Sequence, residues 1–515
     1  MLFQYLKRAF LTRKSWVAVL SLTQIALTVA LGIWLQQYAV YTYMAITAVS
    51  LIAVAILLDK DDVNPVYKLM WLLIILLLPP TGTIFYLYWG GRSRHDRKAR
   101  RYSACSARAN QALPDPLSSL ALLPGDDVPF TRCGRYLAQY AYAPVWDNTS
   151  CRYYAWGQEF LPDYLEELQK AQQFIFLEYF ILQEGKLWDQ VLEILKQKAA
   201  QGVDVRVLYD GMGSLVKLPK DYDATLRSYG IQCGIFAPMR FSPNLSDYTL
   251  LNHRDHRKTT VIDGKVGYIG GYNLSDEYFG RARPYGVWKD TGLRLEGEAV
   301  RSLTASFFEL WNVTTKEDED FARYLNICHK VTSEGFVQPF NDNPLSEERT
   351  AENVYLNLIA QAEKTLYITT PYLIITDEMS RALRLAAKRG VDVRIITPGI
   401  PDKKVVFAIT RSYYSGLARQ GVRIYEYTPG FCHATQCLCD GEIASIGSSN
   451  FDYRSLYHHF ENDVLLYGCD AIGDMARDFD VLFSQCTEVT QRYSTGSGAI
   501  LRIWQCILRL FAPLV

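Results

Sequence analysis

Two short runs of this chain hold the same reactive residues in the same register. The first is H-R-K-T-T-V-I-D, His256 to Asp263, followed by Gly270, Gly271 and Asn273. The second is H-A-T-Q-C-L-C-D, His433 to Asp440, followed by Gly447, Ser448 and Asn450. The copies lie 177 residues apart, and His, Asp, Gly and Asn recur at the same offsets without a gap. Lys258 has no counterpart, because Thr435 stands at its place. Imidazole is a nucleophile or a proton carrier near neutral pH. In an extended segment, a lysine two residues further on shares the histidine's face. There its ammonium can neutralise a phosphate oxygen and stabilise charge as it develops. Asn and small Gly/Ser residues donate hydrogen bonds and let a phosphate come close. Two such sets point to a two-histidine phosphoryl-transfer site.

Strands must carry these motifs. Val261 and Ile262, and Leu438 in the second copy, suit buried β-strands. Upstream of the first motif, Phe174–Ile181 and Val203–Tyr209 read as strands around a helix at Leu187–Gln201. Upstream of the second, Leu366–Thr370 and Val391–Thr397 read as strands around a helix near Glu378–Lys388. A-A-Q-G-V-D-V-R-V-L and A-A-K-R-G-V-D-V-R-I-I are a second internal match, with Gly202 and Gly390 as helix stops. Alternating strands and helices predict an α/β fold. Pro114, Pro116, Pro124 and Gly125 mark turns, so 102–150 reads as a connector. Residues 151–335 and 336–490 form the two repeated domains.

H-x-K-x4-D followed by G-[GS]-x-N resembles the signature of the phospholipase D superfamily, and the flanks are similar to bacterial cardiolipin synthases. The carriers are N-H-R-D-H-R-K at Asn252, V-I-D-G-K-V-G-Y-I-G-G-Y-N, and W-K-D-T-G-L-R at Trp288. In the second half they are R-S-Y-Y at Arg411, G-V-R-I-Y-E-Y-T-P-G-F-C-H before His433, and N-F-D-Y-R-S-L after it. The resemblance implies two tandem phospholipase D-like domains forming a pseudo-dimer with both histidines at the joining face. It also implies transfer of a phosphatidyl group between two phosphatidylglycerol molecules through a phosphohistidine, giving cardiolipin and glycerol. His256 is then the nucleophile and His433 the general acid/base, with Lys258 beside them. Gly271, Asn273, Thr435, Ser448 and Asn450 are the expected substrate contacts. Asp290 and Glu461 are the carboxylates expected to orient the opposite histidines, Glu461 with His256 and Asp290 with His433. Asp263 and Asp440 complete the catalytic motifs in a role read as structural. The family chemistry needs no metal or other cofactor. Rival readings are a phospholipase D-type hydrolase or headgroup transphosphatidylase, and a catalytically weak lipid-binding homologue.

Thr435 keeps the last rival open. Losing a preorganised donor to a transition-state phosphate costs ~3–4 kcal/mol, on the order of 10²–10³ in rate. Three readings follow: the site works with one motif lysine, another cation such as Arg454 or Arg411 supplies the charge, or the chain is a weak homologue.

Trp16–Leu35, Tyr38–Leu58 and Met70–Trp89 are apolar and free of charge, each about as long as a membrane-crossing helix. Pro79, Pro80 and Gly82 interrupt the third, which reads as a kinked span, a re-entrant hairpin or an interfacial segment. Basic residues flank the set at Lys7–Lys14 and at Arg92–Arg101, and the positive-inside rule sends both flanks to the cytoplasm. The expectation is a multi-pass cell-membrane anchor at 1–101 with two full spans, and a catalytic part on the cytoplasmic side.

The net charge of zero hides an asymmetry. Residues 1–101 hold 12 Lys/Arg and 4 Asp/Glu, a surplus of +8, while the rest hold 42 and 50, leaving −8. The basic end suits anionic lipid headgroups. The acidic remainder argues against nucleic acid as a partner. The 11 scattered cysteines show neither a zinc-type array nor a disulfide framework. Residues 491–515 read as an amphipathic tail, for the membrane interface or for docking on the core. Oligomeric state is open.

Overall fold

The computed structural model describes residues 13–34, 38–60, 64–89, 97–125, 128–238, 253–317, 322–346 and 348–495, with isolated positions beyond. Most of the predicted tail lies outside these residues, as does the Asn252 end of the first flank. The described chain divides into two compact units, one from its first 96 residues and one from the rest.

The first unit is helical: α1 (Arg13–Trp34), α2 (Ala39–Leu58), α3 (Pro65–Leu77) and α4 (Thr81–Trp89). Val40–Leu58 is the one helix among the described residues long and apolar enough to cross a membrane; Val19–Ile33 and Pro65–Leu77 are shorter apolar helices. Val40, Tyr41, Met44 and Ile52 are exposed along α2, as a lipid-facing helix requires. The third apolar stretch divides at its prolines, α3 ending at Leu77 and α4 beginning at Thr81. Neither Pro79 nor Pro80 has an N–H to continue the helical ladder. Asn64 sets the start of α3, its side chain accepting from the Val66 N–H at 3.0 Å with Pro65 in the first turn.

The second unit is α/β and duplicated. Its first half supplies β1 (Thr149–Tyr154), β2 (Phe174–Tyr179), β3 (Asp204–Asp210), β4 (Gln232–Phe236), β5 (Arg254–Asp255), β6 (Lys258–Ile262), β7 (Val266–Gly270) and β8 (Gly292–Gly297). Its second half supplies β9 (Phe336–Asp342), β10 (Thr365–Thr369), β11 (Asp392–Pro398), β12 (Arg423–Tyr427), β13 (Gln436–Cys439), β14 (Ile443–Gly447), β15 (His459–Tyr467) and β16 (Cys486–Glu488). One sheet runs β1-β8-β7-β6-β2-β3-β4. The other contains β12-β11-β10-β13-β14-β15, the same path strand for strand, with β9 beside β15. In both, the two α/β strands pair in parallel and the motif strand joins antiparallel, β6 on β2 and β13 on β10.

Strands β2 and β6 are buried over their whole length, as strands covered on both faces must be. Helix Val300–Thr315 is buried along most of its length, and its Phe307 stacks on Phe176 of β2 at 4.8 Å. The stretch with turn signals at 102–150 is largely helical. Its prolines lie between or at the starts of helices, and the helices carry apolar faces that pack on the α/β body. Phe130 of helix Pro129–Tyr140 stacks on Tyr467 at 5.0 Å. From helix Arg97–Ala112, Ser106 donates to Glu309 at 3.0 Å.

Candidate active site

Each motif histidine lies just before a strand of its own sheet and is held by the other half. The His256 N–H donates to the Phe460 carbonyl at 2.9 Å, and the His433 N–H donates to the Lys289 carbonyl at 2.7 Å. Phe460 and Lys289 immediately precede Glu461 and Asp290, so this crosswise pairing lays each histidine beside the other half's carboxylate. Nδ1 of His256 is 3.0 Å from Glu461, and Nδ1 of His433 is 2.8 Å from Asp290. Because β5 runs parallel to the start of β15, the first half is anchored on the sheet of the second. A carboxylate accepts, so each imidazole donates through Nδ1 and presents Nε2.

Burial pushes the His256 imidazole well below its usual range, and the positive charges of Lys258 and His433 push the same way. This direction favours the neutral imidazole, whose lone pair can attack. Burial also lowers Lys258, to about 8, against the opposing pull of Glu461, Asp290 and other carboxylates. Carboxylates from both halves thus act on one lysine. Its ammonium bonds the His256 carbonyl.

Asp263 and Asp440 stand apart from this chemistry. Asp263 accepts from the N–H groups of Gln172, Gln173 and Phe174 at 2.7–2.9 Å, fixing the start of β2. Asp440 does the same for Glu363, Lys364 and Thr365 at 2.7–2.9 Å, at the start of β10. Both adopt a left-handed backbone, φ 52° and 53°, which aspartate tolerates better than most residues.

The expected substrate contacts lie in the same buried region and are engaged with protein. Asn273 accepts from the Ile181 N–H at 2.9 Å and donates to the Tyr278 hydroxyl at 2.7 Å. Ser448 exchanges hydrogen bonds with the Asn462 backbone at 3.0 and 3.2 Å. Thr435 donates to the Asn450 carbonyl oxygen at 2.9 Å. The absence of a side chain at Gly271 makes room for the orienting carboxylate: a Cβ there would stand 2.0 Å from Asp290. Of the cations considered for the missing lysine, Arg411 is committed elsewhere, forking onto Glu426 with two bonds of 2.8 Å. Arg454 is one of the charges acting on His459.

Tyr278, Trp288 and Phe180 were not singled out as functional from the sequence, whereas His459 reads there as site-lining rather than catalytic. Tyr278 and Trp288 pack on His433 with ring centroids 5.3 and 5.6 Å away. Phe180 and His459 each pack on His256 at 4.9 Å. His459 also reaches Glu461 through Nδ1, at 3.3 Å. Ligand atoms of His256, His459 and Glu461 lie within 4.8 Å of one another, close enough to hold a metal ion, and the hydrogen bonds to Glu461 produce the same convergence. The sequence signal available was an offset: Trp288 and His459 both stand two residues before an orienting carboxylate.

A family model described as "Cardiolipin synthase, PLD-like domain" matches residues 164–311 and 355–483. A second, described as phospholipase D-nuclease N-terminal, matches residues 46–91. The chain is 41% identical over 463 residues to an uncharacterised protein of Streptococcus mutans, covering 89% of this chain and 98% of that one. It is 33% identical to a cardiolipin synthase of Alkalihalophilus pseudofirmus, covering 97% and 99% of the two chains. A cardiolipin synthase of Geobacillus kaustophilus is 34% identical, over 92% of this chain and 94% of its own. In fold, the chain is similar to the crystal structure of phosphatidylserine synthase from Haemophilus influenzae, with TM-score 0.56, 16% identity, and 74% and 97% of the two chains covered.

Proposed function

The chain belongs to the cardiolipin synthases with phospholipase D-like domains, and on that premise we propose that it transfers a phosphatidyl group from one phosphatidylglycerol to another. The observation that carries the reading is the crosswise pairing of His256 with Glu461 and of His433 with Asp290. Nε2 of neutral His256 attacks the phosphorus of the donor lipid. The bond from phosphorus to the glycerol oxygen breaks, and His433 gives that oxygen its proton. Glycerol leaves, and a phosphatidyl-histidine remains. His433 then takes the proton of a primary hydroxyl on the second phosphatidylglycerol. The freed oxygen attacks phosphorus, the phosphorus–nitrogen bond breaks, and cardiolipin forms. Glu461 and Asp290 hold the two imidazoles in the tautomers these steps need. Lys258 faces the negative charge that develops on the phosphoryl oxygens.

The N-terminal unit anchors the enzyme in the cell membrane as a multi-pass segment, with the α/β unit on the cytoplasmic side. Its support is the apolar helix Val40–Leu58 and the basic flanks of the anchor. The test of the reaction is reconstitution of the full chain in phosphatidylglycerol vesicles. Cardiolipin and free glycerol should form in equal amounts, and His256→Ala should abolish both. Phosphatidic acid in place of cardiolipin would make the protein a hydrolase. Lipid binding without product would make it a non-catalytic homologue.

A further inference from the structure

Trp288 and His459 occupy the same position in the duplicated design, two residues before Asp290 and Glu461. Each ring lies against the motif histidine of the opposite half, Trp288 on His433 and His459 on His256. Both side chains are more than nine-tenths buried, and each keeps one ring nitrogen without a protein partner: Nε1 of Trp288 and Nε2 of His459. A buried polar atom left unpaired costs free energy unless something that binds there completes it.

The two nitrogens are of opposite kind. The indole N–H can only donate. His459 donates through Nδ1 to Oε1 of Glu461 at 3.3 Å, which leaves Nε2 as an acceptor. Burial holds this imidazole well below its usual range, against the opposing pull of Glu461. His256 meets the same carboxylate through its own Nδ1, 3.0 Å from both Oε1 and Oε2. The two imidazoles therefore turn one edge to Glu461 and carry their Nε2 atoms away from it. A phosphodiester offers only acceptor oxygens and has nothing to give a second lone pair beside the nucleophile. A hydroxyl does.

Building on the phosphatidyl-transfer reading, we propose that Nε2 of His459 accepts a hydrogen bond from a glycerol hydroxyl of the bound headgroup, making His459 a specificity-determining residue for polyol headgroups. Trp288, able only to donate, serves an oxygen acceptor on the opposite side of the site. A headgroup with one hydroxyl, which is consumed in the reaction, leaves His459 unpaired and is disfavoured.

The test compares two free alcohols of equal carbon count. Full-length protein in phosphatidylglycerol mixed micelles receives isotope-labelled glycerol or 1-propanol, and the labelled phosphatidyl products are measured as a ratio. Wild type should favour glycerol by about tenfold or more. His459→Phe removes the acceptor and should bring the ratio near one. His459→Asn, whose amide oxygen accepts, should keep most of the preference. Because the ratio cancels the amount of folded enzyme, a partial folding loss does not obscure it. If His459→Phe does not accumulate, His459→Leu also lacks the acceptor and replaces it. A preference for glycerol that survives in the acceptor-free variant overturns the inference and leaves phosphatidyl transfer standing. Wild type that transfers to neither alcohol overturns the transfer reading, and this inference with it.

Discussion

The two halves of the α/β unit share a strand path, yet their polar interiors differ. In both, an aspartate with a left-handed backbone ties down three N–H groups, and a histidine hangs from the other half's backbone. The difference begins two residues after each histidine. In the first half, buried Lys258 brings a cation whose ammonium bonds the His256 carbonyl. In the second, the Thr435 hydroxyl bonds Asn450 and brings no charge. The Asn450 carbonyl oxygen takes a side-chain donor, where that of Asn273 takes the Ile181 backbone N–H. The two halves share what builds the strands and holds the histidines, while the buried lysine stands in the first alone. This fits an unequal division of labour: a neutral nucleophile beside a lysine in one half, a proton carrier in the other.

The largest effects should come from the histidines. His256→Ala and His433→Ala should each lower cardiolipin formation on the order of 10⁴-fold or more. Only His256→Ala should remove the acid-labile phosphorylated intermediate detected after rapid quench with labelled lipid. Labelling that survives in His256→Ala and vanishes in His433→Ala would reverse the roles of the halves.

Swapping the lysine position is the next test. Lys258→Thr should lower turnover on the order of 10²–10³-fold, the loss of one preorganised donor to a phosphoryl group. Thr435→Lys should raise turnover. An unchanged rate in the second variant would mean that another cation already serves that side.

A smaller effect should appear in the pH profile. Lys258 is charged below about 8 and loses its proton above it, so kcat/KM should fall as pH rises through that value. Lys258→Arg keeps its charge throughout that range and should shift the alkaline limb upward. A limb unmoved by this variant would belong to another group.

The smallest effect on chemistry should come from Asp263→Ala and Asp440→Ala. Each removes a carboxylate that satisfies three N–H groups, costing about 2–3 kcal/mol. The thermal midpoint should drop by about 2–4 °C, with turnover per folded molecule little changed. Similar losses at both sites would show that these two features of the repeat remained equivalent.

Much of this architecture is legible in the chain itself. The duplicated motif, the alternating strands and helices, the charge-free helices and the proline break at residues 79–80 are local patterns. Their physical causes, the period of side-chain direction and the backbone demands of proline, act within a few residues. The sequence by itself determined which residues recur in the two motifs and the family resemblance. Tertiary structure decided the rest, because it depends on how two halves meet. The parallel run of β5 against β15 sets His256 beside Glu461. The same meeting packs His459 on His256 and turns Trp288 toward His433. Packing within the second half commits Arg411 to Glu426 and Thr435 to Asn450. A histidine two residues before a glutamate has no special meaning along a strand. It acquires one when a strand from the other half closes over it and leaves one nitrogen buried without a partner.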